Sequence, residues 1–414
     1  MSSRVPLCLL AFTALLVACG DAATPSTPDA AGDTALDALA DAPTDAAPDA
    51  RADAAPDASP DASLDAPAPD ASLDAPAPDA SLDAPAPDAP APDAPSPDAP
   101  APDASPDVAP DVAPDAAPRT FLDSYPIAGR FPEGGTYDPA SHRFFVGSLA
   151  DGAVRAIDAM TGAESVLFRE SAPGRWWTLG MDVDVARRRL AVCAMDDRRA
   201  VAGTDHPYDG YVWVFDLTTG ARVSQRPLSP AFRTATCTDV AWAADGSLYV
   251  CDRENPNIYR VDPAGALTTF VTSDRLSASG VGQNALVVLP DQTALLSLIY
   301  LPSRLVRVDL RSRAVADVNL RGTFFDGLPL LSGADGMTLS GTSLLVAFTS
   351  QVTRVSPTLA DWSDATTATV DVPEGMTDIV HTPGGDYLLN GQAVRFAFDR
   401  ATDPFRLVRF VGAF

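Results

Sequence analysis

The chain has 414 residues, a formal net charge of minus 26, five cysteines and an aromatic content of only 7%. Such an acidic chain without a basic stripe is excluded as a general nucleic-acid binder, because it has nothing to set against a phosphate backbone. The charge is unevenly placed, and that unevenness divides the chain into 1–19, 20–118 and 119–414.

Residues 1–19 read as a processing signal. Arg4 gives a basic start, residues 5–17 are mostly apolar, and Leu16-Val17-Ala18-Cys19 resembles the lipobox of bacterial lipoproteins. The apolar run is shorter than a membrane span requires. The pattern predicts export, loss of Cys8 with the signal, and a lipoprotein held at the membrane by a lipidated, palmitate-bearing Cys19. Gly20 carries no inner-membrane retention signal, so the preferred expectation is a cell-envelope protein anchored at the outer membrane.

Residues 20–118 are built from proline, alanine and aspartate. Aspartates fall every fourth residue from Asp29 to Asp65, and SLDAPAPDA then repeats from Ser63, Ser72 and Ser81. Against the single Arg51, these aspartates give the segment a net charge of about minus 21 and leave about minus 6 for residues 119–414 once Arg4 is set aside. Alanine builds no core, proline removes backbone donors, and like charges at i,i+4 oppose a helix. The segment is predicted to be a disordered, self-repelling spacer rather than a calcium site, since EF-hand and glycine-rich calcium patterns are absent.

From residue 119 onward the pattern becomes that of short strands. CTDVAWAADGSLYVCDRENPNIYRVDP, at 237–263, reads as strands over 239–242, 248–251 and 258–261 around an Asp245-Gly246 turn. Weaker copies begin near Gly135, Gly180, Asn284, Asp335 and Thr377. Aligning them brings Glu133, Leu179, Thr238, Asn284, Asp335 and Thr377 to one repeat position, at intervals of 46, 59, 46, 51 and 42 residues. Those periods suit four-stranded blades, and the predicted fold is an all-β, six-bladed β-propeller. Its closure is expected to pair a strand near 121–127 with one near 405–410.

Three cysteines fall in this domain. Cys193 and Cys251 share a position in the second strands of consecutive blades, and Cys237 lies diagonally across the hairpin from Cys251. At most one disulfide can form among them, and their spacing matches no zinc pattern.

In a propeller, the residue just before each innermost strand lies at one mouth of the central channel. That position collects Glu133, Asn284 and Asp335, hard oxygen ligands suited to calcium or magnesium and, less selectively, zinc. The insertion 196–210 is placed over the same mouth and carries His206, a candidate proton shuttle beside Asp335 as candidate base. His142 sits in a hairpin turn and His381 within a strand, and neither is given a catalytic role. Trp176 and Trp177 precede the second inner strand, as Phe324-Phe325 precede the fifth, and are candidates for an aromatic rim. No G-x-S-x-G elbow, Walker motif or dinucleotide fingerprint occurs.

PEGGTYDPASHRFFVGSLADGAVRAID, QNALVVLPD and GADGMTLSGTSLLVAF, in that order, resemble the SMP-30/gluconolactonase/LRE-like family of six-bladed propellers over most of residues 125–400. The resemblance implies a divalent cation held by Glu133, Asn284 and Asp335 and a metal-dependent lactonase activity. It also marks departures. Thr238 stands where the family's lactonases carry a further asparagine, Thr236 where they carry a substrate-binding arginine, and Ala285 where a glycine usually follows the asparagine. Arg233 and Arg253 are the nearby bases that can replace that arginine.

Two functions follow. One is a lipid-anchored, divalent-cation-dependent hydrolase of a lactone or small ester; the other is a noncatalytic propeller that binds an envelope protein or extracellular ligand. Either is expected to be monomeric, anchored to membrane through Cys19, and to have no nucleic-acid partner.

Overall fold

The computed structural model describes residues 120–129, 131–171, 176–197, 208–228, 235–278, 282–324, 333–396, 400–402 and 404–414; the segments read as signal and spacer, with Cys19, and His206, Arg233 and Phe325 lie outside them. The described residues are nearly all β and form a six-bladed propeller. Six sheets follow one another along the chain, and their inner strands are Gly135–Asp138, Trp176–Asp184, Asp239–Trp242, Gln283–Val288, Ala334–Ser340 and Met376–Thr382. Each inner strand packs beside the next, and the sixth packs beside the first, so the ring is closed.

Burial explains the sequence pattern. The second strands lie between neighbouring blades and are covered on both faces, so Leu248–Cys251 and Ala294–Ile299 are continuous apolar or small-residue runs with every residue buried. The outer strand Arg222–Pro227 instead alternates partly buried and exposed residues. A recurring aspartate turn joins third to fourth strands. Oδ1 of Asp158, Asp216 and Asp309 accepts the amide of the residue three further on, from Thr161, Thr219 and Ser312 at 2.8, 2.9 and 2.7 Å.

Closure is made by Ser124–Pro126, which pairs antiparallel with Arg406–Arg409 in the sixth sheet through Ser124↔Val408 and Tyr125↔Leu407. This is the pairing expected from the sequence. Blade three likewise has its first two strands at 239–242 and 248–251, as read from the Asp-Gly hairpin, and its third at Asn257–Val261.

Two details differ from expectation. Blade five has a fifth strand, Asn319–Arg321, running parallel to Asp364–Asp371. The Asp364 carboxylate fixes it by accepting from Asn319 Nδ2 at 2.6 Å and from the Arg321 guanidinium. Three residues carry no readable period, so the strand is invisible to repeat alignment. In blade two, the paired strands run on to Asp197↔Tyr208, so the predicted insertion begins as a continuation of the hairpin. Its inner strand also starts earlier, and Trp176 and Trp177 sit within it, opposite Asp196 and Met195, rather than before it.

Cys193 and Cys237 form a disulfide with Cα atoms 5.1 Å apart, and the described residues leave Cys251 as a buried free thiol. The bridge fastens the second strand of blade two to the chain entering blade three. Closing a 44-residue separation removes about 4 kcal/mol of chain entropy from the unfolded state. Among the described residues, no helix is long and apolar enough to cross a membrane.

Candidate metal and ligand site in the central channel

Four of the six inner strands carry a β-bulge near one end of the channel: between Thr178 and Met181, Gln283 and Ala285, Ala334 and Met337, and Met376 and Asp378. The aligned repeat position coincides with these bulges at Leu179, Asn284, Asp335 and Thr377. An inserted residue breaks the regular alternation of a strand and re-aims a side chain, which is how Asn284 and Asp335 come to line the channel. Glu133 reaches the same wall by another device. Gly134, at φ 68°, follows it so closely against blade two that a Cβ would lie 2.3 Å from the Leu179 carbonyl.

The channel encloses a cavity of about 380 Å³, whose lining includes Glu133, Thr238, Arg253, Asn284, Tyr300 and Asp335. Asn284 Nδ2 donates to Asp335 Oδ1 at 2.6 Å and to the Asp335 carbonyl at 3.1 Å. With its NH₂ so engaged, the amide oxygen is the atom Asn284 has for a cation. Burial and then the neighbouring Asp378 push Asp335 up to about 8, against the opposing pull of Asn284 and Arg253. Burial, followed by the charges of Asp335 and Glu133, also raises Tyr300, which places all three in one electrostatic neighbourhood.

Three more inner-strand aspartates line this channel, and sequence alignment passed over them. Asp182 accepts the Trp242 amide at 2.8 Å, Asp239 the Leu286 amide at 2.8 Å and Asp378 the Gly135 amide at 2.7 Å. Each bond crosses to the next blade. Burial raises Asp182 to about 6 and Asp378 to about 7, and moves Asp239 well above the usual carboxylate range. Asp239 and Asp378 directly follow the aligned Thr238 and Thr377, so an acidic residue one step along was the available signal. Among the described residues of the lining, Arg253 and His381 are the bases facing these five carboxylates.

The candidate residues divide. Glu133, Asn284, Asp335, Thr238, Arg253 and Trp177 line the one cavity. Thr238 is committed to the wall, its hydroxyl donating to the Gln283 carbonyl at 3.1 Å and lying 3.2 Å from Cys251 Sγ. Thr236 and Trp176, candidates for the substrate side of the site, fall outside the described lining of this cavity. The Thr236 hydroxyl turns to Asp252 Oδ1 at 3.1 Å, and Trp176 is buried against Trp213 and Tyr211 with ring centroids 5.1 and 5.3 Å away. Trp177 is met edge-on by Phe396 at 5.8 Å, so the short helix Ala393–Phe396 lies over this end. Phe324 packs edge-on against Phe348 at 5.6 Å. His381 also borders the cavity, near the other end of its strand, and Asp386 Oδ1 lies 2.7 Å from its Nδ1. Among the described residues, no three His, Cys, Asp or Glu side chains group as metal ligands, and the sequence-predicted trio has two carboxylates and an amide.

No protein-family model and no curated protein matches the chain. Solved structures do. The Malassezia sympodialis allergen Mala s 1 is similar over 70% of this chain and 96% of its own, with 16% identity and a TM-score of 0.58. Structural neighbours also include a gluconolactonase from Xanthomonas campestris, with 16% identity and a TM-score of 0.47 over 72% of this chain and 98% of that one. A calcium-binding regucalcin from Agrobacterium tumefaciens has 16% identity and a TM-score of 0.46 over 70% and 94%. At these identities the likeness is one of fold.

Proposed function

We propose that the channel mouth binds one divalent cation, calcium in preference to magnesium or zinc, through Glu133, Asn284 and Asp335, and hydrolyses a lactone or related small ester. The observation that carries this reading is the convergence of those three side chains with Arg253 on one cavity, where burial and then the neighbouring Asp378 disfavour the ionised form of Asp335. Buried carboxylates that raise one another's pKa are relieved by a cation, and hard oxygen donors suit calcium. A bound cation would supply charge neutralisation and polarise a substrate carbonyl. Asp335 holds or accepts a proton at its carboxylate in the neutral range, and Asn284 fixes the orientation of that carboxylate. Arg253 presents a guanidinium to an anionic part of the substrate, the task that Thr236 leaves unfilled. His206 remains a proposed proton shuttle.

A second reading, a noncatalytic propeller binding an envelope protein or extracellular ligand, draws support from the Ala393–Phe396 helix over the mouth and the commitment of Thr236 and Thr238 to the wall. Calorimetry and a lactone panel distinguish the two. The native protein is expected to bind about one calcium ion. Asp335→Asn should weaken that binding at least about tenfold and abolish hydrolysis, with circular dichroism unchanged. Equal calcium affinity in the variant would sink the assignment of Asp335, whereas binding without turnover would favour the second reading.

We also propose that the propeller is displayed from the outer membrane on its acidic spacer through lipidated Cys19. Cys19→Ser should release the protein from the membrane fraction or block its maturation. A mature amino terminus located elsewhere by mass spectrometry would overturn this placement.

A further inference from the structure

Asn284 emerges from a residue that is fully buried and polar. Gln283 directs its side chain into the connection between the second and third strands of blade three. Its Nε2 lies 3.0 Å from the Asp252 carbonyl, 2.8 Å from that of Asn257 and 3.4 Å from that of Asn255. Its Oε1 accepts from Ser297 Oγ at 3.0 Å, and its own carbonyl accepts from Thr238 Oγ1 at 3.1 Å. One side chain therefore joins the bulge of blade four to the loop of blade three.

That loop is itself closed around a single carboxylate. Asp252 Oδ1 accepts from the amides of Thr236, Glu254 and Asn255 at 3.1, 3.0 and 3.3 Å and from Thr236 Oγ1, while Oδ2 accepts from Asn255 Nδ2 at 2.8 Å and Tyr259 Oη at 2.9 Å. Arg253 is the residue between two of these anchors. Gly282, just before Gln283, is pressed against it so closely that a Cβ would lie 2.3 Å from the Arg253 carbonyl. The Gln283 amide nitrogen thus grips the loop that carries Arg253, while its oxygen is held by Ser297 within blade four. Burying an amide costs free energy unless such partners are present, so an apolar residue would be the simpler choice for a wall with packing as its sole task.

We propose that Gln283 is a positioning residue of the channel site, locking the 252–257 loop to the blade-four bulge so that Arg253 and Asn284 present their side chains to the same cavity. The inference rests on the reading of Asn284 as a cation ligand. It extends the site to a residue that neither lines the cavity nor touches a ligand, and it assigns Asp252 and Ser297 to the same device.

Terbium(III), a luminescent stand-in for calcium that Trp177 and Tyr300 are placed to sensitise, provides the test on the full-length protein. Gln283→Met keeps the length and removes the hydrogen bonds. It is expected to weaken terbium binding about tenfold, and the luminescence lifetimes in H₂O and D₂O should report about one more coordinated water. In an Asn284→Ala background the same substitution should change neither quantity, because the ligand it positions is gone. Ser297→Ala, which removes one hydroxyl and is expected to fold, should shift affinity and hydration in the same direction by a smaller factor. Unchanged affinity and hydration in Gln283→Met and Ser297→Ala, with native terbium binding intact, would overturn the role of Gln283 alone. Equal losses with and without Asn284 would show general destabilisation and overturn it as well. A native protein that binds no terbium in the channel would overturn the cation reading and this inference together.

Discussion

Tyr125→Ala is expected to destabilise the propeller by about 3–5 kcal/mol. Tyr125 is fully buried in the closing strand. Its ring packs against Phe144 and Tyr387 at 4.9 and 5.5 Å, and its hydroxyl donates to the Ala159 carbonyl at 2.7 Å while accepting the Leu122 amide at 2.9 Å. Truncation to alanine leaves a cavity and strips a buried carbonyl of its donor, two costs that add. The site is also where the ring is sealed. Tyr387 Oη donates to the Leu122 carbonyl at 2.8 Å, and Arg409 joins Asp123 at 2.9 Å, so the closing segment is held by side chains as well as by its ladder. Removing residues 120–128 as a whole should abolish the cooperative transition, because Arg406–Arg409 would then be an open sheet edge. Urea denaturation checks both. A loss below about 1 kcal/mol for Tyr125→Ala, outside the range for such truncations, would show that closure relies on other contacts.

The second large effect is on the pH dependence of stability, and its sign is the reverse of ordinary acid denaturation. Asp182, Asp239, Asp335 and Asp378 are raised by burial in the channel, with Asp335 at about 8, Asp378 at about 7 and Asp182 at about 6. Between the unfolded carboxylate range near pH 4 and these values, the native state binds more protons than the unfolded state. Stability therefore falls as pH rises, until the folded groups have ionised near pH 8. The combined loss from pH 5 to pH 8 is expected to be on the order of 3 kcal/mol or more. Below pH 4 a different set takes over. Asp151 is lowered to about 2, with Arg155 and Ser148 prevailing over the burial that raises it. Asp138 is likewise lowered, with Arg188 and Ser141 prevailing. Stability from these groups is lost as they protonate, so the optimum is expected near pH 4 to 5. Calcium should raise the melting temperature markedly at pH 8 and little at pH 5, where protons already neutralise the channel. Thermal scans across pH with and without calcium measure this. A melting temperature that rises steadily from pH 5 to pH 8 without calcium would contradict the ionisation pattern.

Much of this architecture was legible because hairpins and their turns are local. The Asp245-Gly246 turn marks two strands of blade three, and aligning such hairpins brings Glu133, Asn284 and Asp335 to one repeat position. What the alignment could not convey was why that position matters: a bulge moves Asn284 and Asp335 out of the strand's alternation, and no residue type announces a bulge. The fate of Thr236 and Trp176 was equally hidden. Thr236 faces Asp252, sixteen residues away across a loop, and Trp176 opens a strand that starts earlier than its hydrophobic pattern suggested. The parallel strand Asn319–Arg321 depends on Asp364, a partner more than forty residues distant. The interblade aspartates Asp239 and Asp378 lie one residue past the aligned position, where nothing local shows that their carboxylates accept amides of the next blade.

Diffraction from crystals of the protein grown with calcium would show where the ion sits. A single ion is expected at the channel mouth, with side-chain oxygens of Glu133, Asn284 and Asp335 at about 2.3 to 2.6 Å. An ion bound elsewhere, or a mouth in which those three oxygens lie more than about 6 Å from any common centre, far outside calcium's coordination distance, would contradict it.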